Sequence, residues 1–421
     1  MTGTAILIVY YSCVAVIWAL LVYYLVLTVA GYHYSRHARD YFPKLLRVHR
    51  DLPTVSILIP ARNEERVIAD TVAAISEMDY PRERVEIIVI DDGSTDATGE
   101  ILEGMKREHD RLTVVSIPAT AGGRGKSVAL NHGLAAATGD VIAVYDADNR
   151  PDRYALRYLV SALLDSSKLG AAVGKVRTLN RSRTFMTRSA NIEFIAYQWI
   201  NQAGRYWLAG LTVLPGTNFV IWRHLLDRVG GWDPRALTED LELTIRVYEA
   251  GWRIGFVPTA VSWEQEPEEL GVWIRQRMRW MRGNNYVIRK SIFKLLKPWD
   301  SPVKLEILQS VATYYLFLVA VLLSDVLFVG GAVGWLGFSM WGPFGLLWAL
   351  AYTMFVLEFA ITLVIEGEDR LPNLLLVALM YFTYTQLWLY VALRSMVPTL
   401  RRRQRTVRPG GEPVWEKTKR Y

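Results

Sequence analysis

The chain has 421 residues, 52 % of them hydrophobic, with 48 Lys and Arg against 41 Asp and Glu for a net charge of +7. That length holds a sizeable core and more than one small domain. Its single cysteine, Cys13, excludes a disulfide framework or a thiolate metal site and agrees with a reducing compartment. The basic residues gather beside apolar stretches, as in Arg401-Arg402-Arg403-Gln404-Arg405, which reads as membrane topology and contact with anionic lipid, not nucleic acid.

Residues 4–30 carry no charge, enough to cross a bilayer at about 20 residues per span. The run is too long for a cleaved leader and has no basic segment ahead of it, so it reads as a retained anchor. Arg36, Arg39, Lys44, Arg47 and Arg50 follow it, and a basic flank after the first span places that side in the cytoplasm. Residues 37–53 read as a linker into a soluble domain.

From Thr54 onward short apolar runs alternate with amphipathic stretches. Strands are expected at 55–59, 85–90, 112–117 and 141–145. Helices are expected at 64–78, with Ile68, Val72 and Ile75 at helical spacing, and at 127–137. A further helix follows Ser94, Thr95 or Asp96 as candidate N-cap. This alternation predicts an α/β domain with a largely parallel sheet and helices on both faces, where ligands sit at the carboxyl ends of strands.

Three apolar stretches, 307–329, 341–365 and 371–397, read as further spans. Three crossings after a cytoplasmic domain put the Arg-rich tail outside, whereas its charge favours inside and the acidic turn 366–369 favours outside. One segment is therefore re-entrant, interfacial or split, and 341–365, which contains Glu358, is the first suspect. The expected organisation is an anchor with basic flank (1–50), a catalytic domain (51–265), interfacial helices (266–304), a membrane region (305–400) and a basic cytoplasmic tail (401–421).

Asp146-Ala147-Asp148 places two carboxylates just past a buried strand. Such acids hold a hard divalent cation against a diphosphate, or form an Asp-rich turn. Asp91-Asp92-Gly93 follows the second strand and is either a turn or a contact to the base or ribose of a nucleotide. Pro60-Ala61-Arg62-Asn63-Glu64 lines the same crevice. Gly122-Gly123-Arg124-Gly125-Lys126-Ser127 fails the strict phosphate-loop pattern, because position 120 is Thr. Its glycines and Lys126 still suit a diphosphate at a helix N-terminus. Thr238-Glu239-Asp240 opens a helix, with Thr238 a candidate cap and Asp240 a candidate general base. Gln276, Arg279 and Trp280 share one side of a helix by their spacing. Arg offers a fork for phosphate oxygens and Trp a flat face for a sugar. Trp273, Arg275, Arg277 and Arg282 beside them equally suit an interfacial helix.

Taken in this order, the motifs from Val55 to Trp280 resemble those of processive, membrane-embedded family 2 glycosyltransferases, whose catalytic domain is an α/β GT-A fold. The likeness is to the branch of poly-N-acetylglucosamine, chitin-oligosaccharide, hyaluronan and cellulose synthases. The chain has no room for a C-terminal regulatory domain, and Thr-Glu-Asp stands where hyaluronan and chitin synthases carry Gly-Asp-Asp. Both features favour the poly-N-acetylglucosamine type.

The resemblance implies roles for individual residues. Glu64, Asp91, Asp92, Lys126 and Asp146 bind the nucleotide-sugar, and Asp148 binds Mg2+ or Mn2+. Asp240 is the catalytic base, with Glu239 beside it. Gln276, Arg279 and Trp280 hold the diphosphate and the acceptor's terminal sugar. Gly216-Thr217-Asn218 matches an acceptor-side loop loosely. The implied reaction inverts a UDP-sugar, UDP-GlcNAc first, into a β-linked exported exopolysaccharide at a bacterial plasma membrane. A growing polysaccharide is the acceptor, and a small membrane partner subunit is common among such enzymes. Trp335, Trp341, Trp348 and Trp388 are candidates either to line an export channel or to form interface belts. The rival readings are a single transfer to a lipid, a transporter, and a non-catalytic scaffold.

Overall fold

The computed structural model describes residues 3–296, 302–334 and 343–396. The Arg-rich run 401–405, Trp335 and Trp341 lie outside the described residues. Helix α1 (Gly3–Val48) runs without a break from the apolar anchor into the basic flank. Residues 37–48 are therefore helix, not linker. Ala38, Phe42 and Leu45 are buried, and Tyr34 donates to the carbonyl of Phe256, so the end of α1 is docked on the α/β domain.

That domain comprises β1 (Val55–Ala61), α2 (Ile68–Ser76), β2 (Val85–Asp92), α3 (Thr98–Glu108), β3 (Leu112–Ile117), α4 (Lys126–Ala136), β4 (Val141–Val144) and β5 (Arg150–Pro151). It continues through α5 (Ala155–Asp165), β6 (Leu169–Thr178), α6 (Phe185–Ala196), α7 (Arg205–Ala209), β7 (Phe219–Trp222), α8 (Arg223–Val229), α9 (Glu239–Glu249) and β8 (Arg253–Glu264). The helix predicted from residue 64 starts only at Ile68, and Glu64 sits in the turn before it. The backbone N–H and hydroxyl of Thr98 both donate to Asp96, the third of the candidate caps.

The eight strands form one sheet in the order β3-β2-β1-β4-β7-β6-β8-β5. The first four pair in parallel, but β7 is antiparallel to both β4 and β6, and β5 is antiparallel to β8. The sheet is thus mixed. Every residue of β1 is buried, as expected for a strand covered on both faces. The chain runs outward from β1 through β2 to β3 and then returns past β1 to place β4 on its other side, which makes the carboxyl ends of β1 and β4 the topological switch point where ligands are expected.

Helix α10 (Leu270–Ser291) follows the sheet, then α11 (Pro302–Val311), α12 (Leu318–Ala332), α13 (Pro343–Glu366), α14 (Leu371–Met380) and α15 (Tyr384–Met396). Among the described residues four stretches are long and apolar enough to cross a bilayer: Ile8–Val48, Pro302–Gly331, Gly345–Glu366 and Leu371–Ser395. The second includes a π-helical turn, Ala312–Phe317. Another π-helical segment, Tyr197–Gly204, joins α6 to α7 and crosses α1 at close range. A Cβ on Gly204 would lie 2.3 Å from the carbonyl oxygen of Leu27, and one on Gly31 would lie 2.0 Å from that of Trp199. Only residues without side chains permit this crossing.

Two expectations about the membrane region are corrected. Within the suspected stretch 341–365 the described residues form the continuous helix α13, which overturns a split there, and the helix instead breaks in the next stretch, between Met380 and Tyr384. The acidic turn 366–369 does not point away from the α/β domain. Glu366 accepts from Lys175 at 2.7 and 2.9 Å and from the Trp199 indole at 2.8 Å. Glu368 pairs with Arg177 at 3.3 Å and Arg181 at 3.1 Å. The turn's charge answers a basic patch on β6 and the loop after it, which hydropathy alone does not show.

Candidate active site

Lys126 opens α4, and its ammonium ties three segments together. It lies 2.6 Å from Asp146 Oδ1 and 3.2 Å from Glu239 Oε1, and donates to the carbonyl of Gly216 at 2.8 Å. Burial disfavours the charged ammonium, yet Asp146 and Glu239 outweigh it and raise its pKa above the usual lysine range. The end of β4, the loop before β7 and the first turn of α9 are thereby fixed around one charge.

The loop before β7 is built for this contact. Gly216 has φ +82°, and a Cβ there would stand 3.3 Å from Asp240 Oδ2 and 3.4 Å from Lys126 Nζ. Thr217 Oγ1 accepts the backbone N–H of Asp146 at 3.0 Å. Asn218, at φ 50°, donates to the carbonyls of Lys175 and Ala260. The loosely matching tripeptide is therefore the brace of Asp146. Sequence reasoning undervalued it, although Gly-Thr-Asn before a strand was a usable turn signal.

Asp240 sits in the first turn of α9, and its Oδ1 accepts the N–H of Leu241 at 2.8 Å. Burial, and then the adjacent Glu239 carboxylate, push its pKa up to about 7. That value suits a proton acceptor at neutral pH. Thr238 stands at the cap position but makes no side-chain capping bond, contrary to its expected role. Its methyl and hydroxyl instead face Gly283 of α10.

Asp148 is 4 % exposed and accepts the backbone N–H of Gln265, just past β8, at 3.3 Å. Among the described residues no group of three or more His, Cys, Asp or Glu could hold a metal ion. A cation that takes one or two carboxylates and completes its shell with substrate phosphates needs no such cage. Asp148, a hard oxygen donor on the cavity wall, fits that kind of ion. Asp146 is already engaged by Lys126.

Of the other expected nucleotide contacts, Glu64 lines the cavity, while its backbone N–H donates to Thr98 Oγ1 at 2.7 Å. Asp91 and Asp92 do not line it. Asp91 Oδ1 accepts the N–H of Ser94 at 2.9 Å, which is the turn role. Asp92 is fully buried, with Arg62 Nη1 at 3.8 Å.

Gln276, Arg279 and Trp280 line the cavity from α10 as their spacing predicts. Their neighbours Trp273 and Arg277 are corrected, since both are fully buried instead of sitting at an exposed interface. Arg277 pairs with Glu193 at 3.2 Å and Glu266 at 3.4 Å, and its Cζ lies 4.0 Å from the Trp280 ring centroid. The Trp273 indole donates to Tyr384 of α15 at 2.8 Å. This cluster joins α6, α10 and α15, and sequence reasoning missed its role because Arg277 looks like one more basic residue in a basic run.

Glu64, Lys126, Asp146, Asp148, Asp240, Gln276, Arg279 and Trp280 all face one cavity of about 630 Å³. It begins at Glu64, Lys126, Asp146 and Asp148, passes Trp280, and continues to Leu21, Phe317 and Phe359 between the apolar helices. Both π-helical segments contribute to its wall. Among the expected channel aromatics, Trp388 lines it, whereas Trp348 stacks on Phe328 and Tyr352.

The strand-end cluster of the α/β domain thus opens into a cavity that continues between helices long and apolar enough to cross a bilayer. Residues 53–283 match the family model described as glycosyltransferase like family 2. The chain is 42 % identical over 414 residues to the probable glycosyltransferase YdaM of Bacillus subtilis, covering 98 % of this chain and 97 % of that one. It is 36 % identical over 262 residues to a beta-monoglucosyldiacylglycerol synthase of Nostoc sp., covering 60 % of this chain and 55 % of the other. A poly-beta-1,6-N-acetyl-D-glucosamine synthase of Staphylococcus epidermidis is 25 % identical over 89 % of this chain and 90 % of its own length. The chain belongs to glycosyltransferase family 2 and is a hexosyltransferase. Its GT-A fold agrees with that of a mannosyltransferase from Pyrobaculum calidifontis, solved with GDP-Man and Mn2+. That match has a TM-score of 0.56 at 21 % identity and covers 89 % of this chain and 98 % of that one. These relatives differ in product, so the family assignment does not single out the poly-N-acetylglucosamine type.

Proposed function

We propose that this protein is a membrane-embedded inverting β-glycosyltransferase. It takes a UDP-sugar on the cytoplasmic side and extends a polysaccharide acceptor lying in the cavity, with UDP-GlcNAc the first donor to try. The observation that carries this reading is the single cavity running from the Lys126–Asp146 cluster past Trp280 to the apolar helices.

In this reading Asp240 takes the proton of the acceptor hydroxyl as that oxygen attacks the anomeric carbon from the face opposite UDP. The C–O bond to the diphosphate breaks and the configuration inverts. Lys126 and Arg279 offset the negative charge that builds on the leaving group, in a pocket largely shielded from water. Asp148 would hold Mg2+ or Mn2+ against the diphosphate, where the ion neutralises charge on the leaving group. Trp280 gives the acceptor's terminal ring a flat face, and Gln276 supplies an amide beside it. A bilayer and a small partner subunit belong to the same proposal.

A second reading is one transfer to a lipid. The apolar far end of the cavity at Leu21, Phe317 and Phe359 favours it, as does the activity for which the Nostoc relative is named. Product length separates the two. Purified protein with a panel of UDP-sugars yields a ladder or polymer on the first reading and a single addition on the second.

A further inference from the structure

Glu358 lies within α13 and is 4 % exposed. Its Oε1 is buried and finds no hydrogen-bond partner in the protein, yet the residue lines the same cavity as the catalytic cluster. A carboxyl at this depth carries a desolvation cost that a purely structural position has no reason to keep. Polar groups from other helices line the cavity with it. Tyr24 of α1 lies with its hydroxyl 3.2 Å from Thr313 Oγ1, and Gln309 donates to the same Thr313 oxygen at 3.2 Å. Phe355 and Phe359 flank Glu358 in sequence, with ring centroids 4.5 Å apart, and both line the cavity. Hydroxyl and carboxyl groups beside aromatic faces form a surface suited to a polyol. A hydroxyl both donates and accepts, so it can satisfy this carboxyl in either protonation state.

We infer that Glu358 is the anchor of a second, membrane-level binding site that takes hydroxyl groups of the acceptor. This inference rests on the reading that the cavity holds the acceptor. The ligand class is a polyol, supplied either by a sugar unit of the growing chain or by the hydroxyl-bearing head of a lipid.

The test uses the full chain in lipid nanodiscs and follows UDP release at saturating donor, with a short β-linked oligosaccharide in one arm and diacylglycerol in the other. Glu358→Leu is expected to raise the acceptor KM about tenfold, the upper end of what one hydrogen bond contributes. Donor KM and acceptor-free donor hydrolysis should stay unchanged, and the melting temperature should hold or rise because an unpartnered buried acid is gone. Glu358→Gln keeps a polar partner and should stay near the parent KM. The arm in which KM rises identifies the source of the hydroxyl. Unchanged acceptor KM in every arm where the parent protein is active overturns the inference. So does a fall in melting temperature with equal losses for donor and acceptor. A parent protein that transfers to neither acceptor overturns the cavity reading itself, and this inference with it.

Discussion

The guanidinium of Arg277 lies over the ring of Trp280, 4.0 Å from its centroid, so a fully buried charge sets the angle of an aromatic face on the cavity wall. The same guanidinium is held by Glu193 and Glu266, and Tyr384 of α15 donates to Glu193 at 2.5 Å. Removing the charge in Arg277→Leu leaves two acids uncompensated and should destabilise the fold by about 3–5 kcal/mol. Arg277→Lys keeps the charge but loses the planar stacking. It should melt near the parent temperature while the acceptor KM rises several-fold and the donor KM stays. Calorimetry with steady-state kinetics on both variants checks this.

The raised pKa of Asp240 makes two linked statements. In its proposed role as base it must be ionised, so the rate should fall as pH drops through about 7, and Asp240→Asn should lose about 10²–10⁴ in kcat. Its folded pKa lies above the ordinary 3.8, so its contribution to stability is fully present below that value and lost as pH rises toward 7. Asp240→Asn should therefore melt above the parent at pH 8, with the gap gone near pH 4. Melting curves across that range read the effect independently of activity.

Lys126 lowers the pKa of Asp240 through its charge. Lys126→Met should accordingly move the acid limb of the pH–rate profile to higher pH, besides weakening UDP binding. A profile that keeps its midpoint would separate Lys126 electrostatically from the base.

Gly216 holds its loop at φ +82° against the Lys126 cluster. Gly216→Ala forces a left-handed backbone on a side chain, at about 1–2 kcal/mol, and crowds Asp240. Melting temperature and kcat should both fall. Gly210→Ala, at a similar φ but with open space around it, should lower only the melting temperature.

The motifs that line the cavity were legible because strand ends and helix starts carry strong local signals. Asp146, Lys126, Asp240 and the row Gln276, Arg279 and Trp280 reach the cavity from short motifs whose spacing matches their element. The antiparallel strand β7 was not legible. A four-residue apolar run reads alike in either direction, and its place between β4 and β6 depends on partners distant in sequence. Charged residues misled for a related reason. Arg277 and Glu366 look like surface or topology charges until the fold brings Glu193 to one and Lys175 to the other. Asp91 accepts the Ser94 N–H, a turn bond that the same short motif signals as readily as a nucleotide contact.

The most direct test of the central claim measures UDP release and product length together, on purified full-length protein in nanodiscs with a panel of UDP-sugars. Samples with Mg2+ or Mn2+ are compared with samples in EDTA, and Asp240→Asn is run alongside. The account predicts turnover with a particular donor that is lost in EDTA and in the variant, and yields long β-linked chains. Turnover that persists in Asp240→Asn, or product of a different anomeric configuration, would contradict it.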